Sequence, residues 1–373
     1  MINYGRHFID QMDIQSVVNS LKSDWLTTGP LVEVFENALE ELTKAKCVAV
    51  SSGTAALHCA YFAIDLKPGD EVITPPITFI ATQATAAQLG AKIVFADIQS
   101  DTANIDPSAV EAAITSKTKA IVAVDYAGHP ADLGALRIIA DKYGLYLIED
   151  ASHSLGSLYN GQPTGSIADI TTFSFFPTKN ITTAEGGAVA TNNEFLLQRA
   201  RRFSRQGLIK DSSEFKNNNE GAWHQEVHSF GLNYRLPDIL CALGISQLKK
   251  INSFKDERNR IFMKYLFNLG NVENIDLPLI HKSVNPMWHF FPLRVNETTR
   301  EDLYNYLLRN GFKTQVNYFP VHLHPVFREQ RDLKGKFPIS ELFYKQELSL
   351  PLYVGLSDTQ IDEISNLIIE FYD

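Results

Sequence analysis

Between Cys47 and Ala190, short apolar runs alternate with stretches of helical spacing. CVAVSS is an apolar run closed by small polar residues, and GTAALHCAYFAI follows it with helical periodicity. DEVITPP precedes the helical TFIATQATAAQLG. KIVFADI, KAIVAVDY, LYLIEDAS and DITTFSFF continue the series, with helical stretches between most of them. Short β-rich runs alternating with helices predict an α/β fold around a mostly parallel sheet, since parallel neighbours need a crossover and a helix usually supplies it. Asp97, Asp125 and Asp150 each fall at or near the carboxyl end of such a run. That edge is where open α/β sheets bind ligands. The pattern changes after about residue 250. TREDLYNYLL and DTQIDEISNLIIEFY read as amphipathic helices, LRNGF and KTQVNYF surround a turn, and WHFFPLRV reads as a strand. The expected organisation is a large domain over residues 1–250 and a smaller α+β domain over 251–373.

A chain of 373 residues is long enough for two such units. Apolar residues at 45% and charged residues at 21% place it among ordinary globular proteins and against disorder. The formal charge of −9 argues against a general nucleic-acid binder, which needs a basic face. It leaves room for a local phosphate site. Cys47, Cys59 and Cys241 form no CxxC pair and no metal-finger spacing, so they are expected as buried thiols. MINYGRHFIDQMD has no apolar core of a signal peptide, and no window has the apolar length of a membrane span, so a cytoplasmic location is expected. Lys210 to Glu226, with KNNNEG at its centre, reads either as a surface loop or as a flap over a site.

Three segments could carry chemistry. In SSGTAAL (Ser51–Leu57) small residues leave a strand and enter a helix at Thr54, where free amides attract an anion and glycine lets a phosphate approach. No Gly-Lys-Ser/Thr follows and no GxGxxG is present; alone, the segment equally suits a capped helix without a ligand. In LIEDASHS, Asp150 ends an apolar strand three residues before His153. It could hold a cation in a semi-buried cleft, or simply cap a turn. In TTFSFFPTKNITTAEGGAVAT, Lys179 follows a strand in a turn opened by Pro177, with Gly186 and Gly187 downstream. A lysine so placed can lose its proton and attack a carbonyl to form a Schiff base. An anion cradle at Thr54 and Ala55, an acid at Asp150 and an amine at Lys179 together are what pyridoxal phosphate requires. Phe79, in PPITFIAT, could stack on its ring or pack in the core.

These residues are where a resemblance enters. SSGTAALH, GDEVITPPITFIAT, IVAVDYAG, IEDASHSLGS, FSFFPTKNITTAEGGA and GLNYRLPDILCALGISQLKK resemble the fold-type I, pyridoxal-phosphate-dependent sugar aminotransferases of the DegT/DnrJ/StrS group over nearly the whole chain. The resemblance implies a large, mostly parallel α/β/α domain and a smaller C-terminal α+β domain. It implies that Lys179 is the Schiff-base lysine, Asp150 the partner of the pyridine nitrogen, His153 a neighbour of the ring near its phenolic oxygen, and Phe79 the stacking aromatic. Thr54, Ala55 and Ser174 match the phosphate cup, and Asn233 matches an asparagine that reaches the phosphate from the other subunit of a homodimer. Tyr4, Trp25, Leu26 and Thr27 match an N-terminal substrate wall. Asn317 and Tyr318 match the small-domain contacts to the nucleotide-sugar, and Gly53, Ser174 and Asn233 also border the substrate. NYGRHFI, ITTAEGG, QVNYFP and PVHLHP place the resemblance nearest to the branch that aminates a UDP-4-keto-6-deoxy-N-acetylhexosamine with L-glutamate in pseudaminic acid biosynthesis. Phe176 departs from that branch, which often carries histidine there, and HLHP, with Leu323, is also unusual for it.

Overall fold

Seven strands build the central sheet: β1 (Lys46–Val50), β2 (Glu71–Thr74), β3 (Lys92–Phe95), β4 (Thr118–Val124), β5 (Tyr146–Asp150), β6 (Ile170–Ser174) and β7 (Gly187–Thr191). They are seen in a computed structural model that describes residues 1–217, 220–328 and 333–373; Asn218 and Asn219, at the centre of the Lys210–Glu226 loop, lie outside the described residues. The order is β1-β7-β6-β5-β4-β2-β3. The five strands from β6 to β3 run parallel. β7 lies antiparallel to both β6 and β1. The exception has a local cause: no helix separates β6 from β7, so the chain turns back beside the strand it has just left.

The parallel strands are covered on both faces and are largely apolar, as such sheets must be, with Glu149, Asp150, Thr171 and Thr172 among the buried polar exceptions. One core packs the helix Gly53–Ala63 and the helix Glu194–Phe203 against Val48, Val72, Val122, Ile148 and Val189. The other face carries Ile73, Ile121, Ala123 and Leu147 under the helix Leu133–Tyr143. The helix Gly53–Ala63 is itself an interior element, with Ala55, Ala56, Leu57, Cys59, Ala60, Tyr61 and Ala63 all buried. All three cysteines are buried and unpaired.

The C-terminal part folds as three short antiparallel strands, β8 (Ile275–Asp276), β9 (Phe291–Val295) and β10 (Glu347–Leu350), in that order, with helices Ile251–Leu269, Arg300–Arg309, Pro338–Gln346 and Asp358–Tyr372. Its core centres on Trp288, stacked on Phe262 at 3.7 Å. The same cluster takes in Ile77, Ile98, Tyr126 and Ala127 from the carboxyl edge of the large sheet, so the two parts share packed surface there. The first residues also join it: Ile2 N donates to Gly311 O at 2.7 Å, and Lys313 N to Ile2 O at 2.9 Å. Asp97 bonds the small part, because its carboxylate caps the helix Pro338–Gln346 through Ile339 N at 3.0 Å and Ser340 N at 2.9 Å. Among the described residues no helix is long and apolar enough to cross a membrane.

Candidate active site

The strand ends β4, β5 and β6 and the segments that follow them meet the small part in one cleft. Asp150 is the last residue of β5 and is 5% exposed. Its Oδ2 accepts from Thr82 Oγ1 at 2.8 Å, and its Oδ1 from Ser152 N at 3.2 Å and Ser152 Oγ at 2.6 Å. Strand alternation turns Glu149 to the opposite face. There it meets Asp125, and both carboxyls are raised above their ordinary range, by burial first; the Glu149 charge adds to the rise of Asp125, while the hydrogen bond with Asp125 draws Glu149 back down and Asp150 pushes it up. One proton shared between them removes the repulsion of two buried anions. Asp125 also accepts from Ser154 Oγ at 2.6 Å and Ala131 N at 2.9 Å, and so holds the turn that carries His153.

His153 is 4% exposed. Its Nε2 lies 3.1 Å from Tyr318 Oη, and its ring is nearly parallel to that of Tyr318, at 6.2 Å and 22°. His289 packs against it at 4.6 Å. Burial, then the nearby Lys179, pushes both imidazoles well below their ordinary value and keeps them neutral. Lys179 is half-buried in the turn after β6. Burial lowers its amine from 10.5 to about 8, with Asp150 pulling the other way. Its backbone is held at several points: Lys179 N donates to Phe176 O at 2.9 Å, Arg258 Nη2 to Lys179 O at 3.4 Å, and Asn180 Nδ2 to Met287 O at 3.1 Å. Thr182 Oγ1 and Thr183 N both return to Phe175 O at 3.0 Å, which closes the ITTAEGG loop onto the end of β6.

The helix that follows β1 starts at Gly53, one residue earlier than its composition suggests, with Ser52 as the capping residue. Ser52 Oγ takes the amide of Ala55 at 3.1 Å. Among the described residues the amides of Gly53 and Thr54 have no protein acceptor, so these two remain for an anion, and Ala55 lies one step behind them. A Cβ on Gly53 would stand 2.7 Å from Ser174 Cβ and 3.0 Å from its Oγ. Glycine is therefore what lets the helix start and Ser174 face one small space.

Tyr4, Asn317 and Tyr318 line the small-part side. Asn317 Nδ2 donates to Tyr4 Oη at 2.9 Å and to Ser349 Oγ at 3.0 Å. Phe79 is 59% exposed, with its ring tilted 6.2 Å from that of Tyr318. Phe176 is also exposed. Trp25, Leu26 and Thr27 stand exposed in a segment anchored by Asp238, which accepts from Gly29 N and Leu31 N at 2.8 and 3.0 Å. Among the described residues none of the three hydrogen-bonds to the cleft. Asn233 is exposed on a segment that passes the end of β1, where Ser51 N donates to Tyr234 O at 2.8 Å. Sequence reasoning missed Thr82, Arg258, His289 and Glu347. His289 sits in WHFF, read only as a strand, and nothing local marks the other three.

The site suits pyridoxal phosphate: a cradle that a Cβ at Gly53 would fill and a buried carboxylate at Asp150, with an amine that burial eases toward its neutral form and buried imidazoles held neutral. Fold and site define a pyridoxal-phosphate-dependent transferase of fold type I. The chain belongs to the DegT/DnrJ/EryC1/StrS aminotransferase family, whose model matches residues 7–369. It is 38% identical to the spore coat polysaccharide biosynthesis protein SpsC of Bacillus subtilis, over 97% of this chain and 94% of that protein. It is 36% identical to the UDP-4-amino-4,6-dideoxy-N-acetyl-beta-L-altrosamine transaminase of Campylobacter jejuni, over 95% of this chain and 93% of that one. Among solved structures, Spr1654 of Streptococcus pneumoniae, proposed to be a sugar aminotransferase and seen in its PMP form, superposes with a TM-score of 0.93 at 30% identity, covering 99% of this chain and 98% of that one. Helicobacter pylori PseC, an aminotransferase of pseudoaminic acid biosynthesis, superposes with a TM-score of 0.91 at 30% identity over 99% and 98% of the two chains. The chain is a sugar aminotransferase, and its cofactor is pyridoxal phosphate.

Proposed function

We propose that the protein moves the amino group of L-glutamate to C4 of a UDP-linked 4-keto-6-deoxy-N-acetylhexosamine. The product is UDP-4-amino-4,6-dideoxy-N-acetyl-β-L-altrosamine, a precursor in pseudaminic acid biosynthesis. The observation that carries the choice of sugar is the likeness, along almost the full chain, to the altrosamine transaminase and to PseC. Tyr4, Asn317 and Tyr318 support it, because the structure joins them beside the catalytic lysine's cleft.

Lys179 would hold the cofactor and, in each half-reaction separately, take or return the proton at the exchanging carbon; an amine lowered to about 8 can do both near neutral pH. Asp150 would partner the pyridine nitrogen and favour its protonated form, with Thr82 and Ser152 fixing the carboxylate's orientation. The bound group supplies an electron sink for the carbanion formed at the exchanging carbon. The Gly53 and Thr54 amides with Ser174 would hold its phosphate, and Phe79 would stack on its ring. His153 stays neutral and fixes Tyr318. In a homodimer Asn233, exposed in its own chain, would reach the phosphate of the partner's site, and the exposed Trp25, Leu26 and Thr27 would form a wall for the substrate.

Amination of another nucleotide-linked ketosugar is the second reading, favoured by the 38% identity to SpsC and by Phe176 at the cleft. Mass spectrometry of products from a panel of UDP-4-ketosugars with glutamate separates the two. A mass gain matching C4 amination is expected with the L-arabino-configured substrate. Turnover of a different ketosugar in its place overturns the first reading.

A further inference from the structure

Glu347 opens β10, is fully buried, and has no part in the roles assigned above. Its Oε2 accepts from Asn317 N at 2.7 Å, and its Oε1 accepts from Ser349 Oγ. Ser349 has one hydroxyl hydrogen, and it goes to Glu347. Toward Asn317 the same oxygen can therefore only accept. This turns the amide nitrogen of Asn317 to Ser349, and Tyr4 Oη takes its second hydrogen. Both donors of the side chain are used. Its Oδ1 is the position left, and it is an acceptor. From below, Tyr126 Oη donates to Asn317 O and also lies within hydrogen-bond reach of Glu347.

We infer that Glu347 is a positioning residue for sugar recognition: through Ser349 it locks the Asn317 amide in one sense, so the part of the nucleotide-sugar that docks there must present a hydrogen-bond donor, a hydroxyl or an acetamido N–H. This rests on the reading that the nucleotide-sugar binds against Asn317. Burial carries the Glu347 carboxyl up to about 8, against the pull of Ser349, the Asn317 amide, Arg300 and Tyr126. At neutral pH it is a neutral acid whose proton can go to Tyr126 Oη, leaving the Tyr126 hydrogen for Asn317 O. Above pH 8 the carboxylate competes for that hydrogen. The other ionisable groups around it are the phenols of Tyr4, Tyr126 and Tyr318, all raised by burial and neutral in this range, and the Arg300 cation.

The test uses the cofactor-loaded protein and whichever UDP-4-ketosugar of the panel the wild type turns over. KM for that sugar is measured from pH 7 to 9.5, and the glutamate half-reaction is followed separately by cofactor absorbance without sugar. Glu347→Ala is expected to raise the sugar KM about tenfold, the loss of one buried hydrogen-bond arrangement, with the glutamate half-reaction within about twofold of wild type. Glu347→Gln cannot ionise, but its amide has one acceptor oxygen where the carboxyl uses two, toward Ser349 Oγ and Asn317 N. Its KM is expected to be raised at pH 7, by less than that of the alanine variant, and flat to pH 9.5, while the wild-type KM climbs above pH 8. Should Glu347→Ala not fold, this comparison still decides. A Glu347→Gln profile that climbs like the wild type, or an alanine variant slowed equally in both half-reactions, overturns the positioning role alone. A wild type that converts its cofactor with glutamate but turns over no ketosugar overturns the proposed function, and this role with it.

Discussion

Lys179→Met should make the cofactor-free protein more stable. The structure sinks the lysine amine where its charged form is penalised, from 10.5 down to about 8. At about 1.4 kcal/mol per pH unit, that is a ceiling of about 3 kcal/mol against the fold whenever the amine is protonated. The group is half-buried and keeps part of its water, so about 1–3 kcal/mol is the expected gain on substitution. The sign follows from proton counting. Below pH 8 the folded and unfolded chains both carry the proton, and the folded chain bears the full penalty. Between about 8 and 10.5 only the unfolded chain holds it, so wild-type stability rises with pH. Above 10.5 both are neutral and the penalty is gone. Methionine fills the lysine stem's space without the charge. Urea unfolding of the two apoproteins at pH 7, 9 and 10.5 should show the variant ahead at pH 7 and the gap closing as pH rises. A variant no more stable at pH 7, or a gap that ignores pH, would refute the reasoning that a buried amine is held here at the expense of stability.

Asp150→Asn should leave the chromophore bound and the fold intact but slow the glutamate half-reaction about a hundredfold or more, because an amide cannot hold a protonated pyridine; stopped-flow absorbance checks this, and near-normal rates exclude the role. Gly53→Ala should raise the cofactor dissociation constant about tenfold or more, since the new methyl at 2.7 Å from Ser174 Cβ must push the helix start and the serine apart; equilibrium fluorescence titration reads it, and unchanged affinity means that the phosphate sits elsewhere. Lys179→Ala and Asn233→Asp proteins, each feeble alone, should regain activity when mixed and allowed to exchange subunits, because one site per mixed dimer then carries neither defect. No recovery despite proven exchange would mean that each site is built from one chain.

The sequence alone determined the class of fold and singled out the residues proposed as reacting groups. Alternation of apolar runs and helices specified a parallel sheet, and Asp150 and Lys179 were legible because strand ends and breaks are local events, written in a few neighbouring residues. The glycines of SSGTAAL and TTAEGG were legible for the same reason. Asp97 looked like an equal of Asp150 by that rule, and only the tertiary structure separated them: a helix whose Ile339 lies 242 residues later arrives to use its carboxylate as a cap. Arg258, on a helix of the small part, reaches the carbonyls of Lys179, Trp288, His289 and Leu352, and no pattern within that helix marks it. The same holds for Glu347 beneath Asn317 and for the proton shared by Asp125 and Glu149. Local periodicity reports which face of an element is buried. Which buried polar groups meet there depends on long-range packing, and desolvation then sets how each of them ionises.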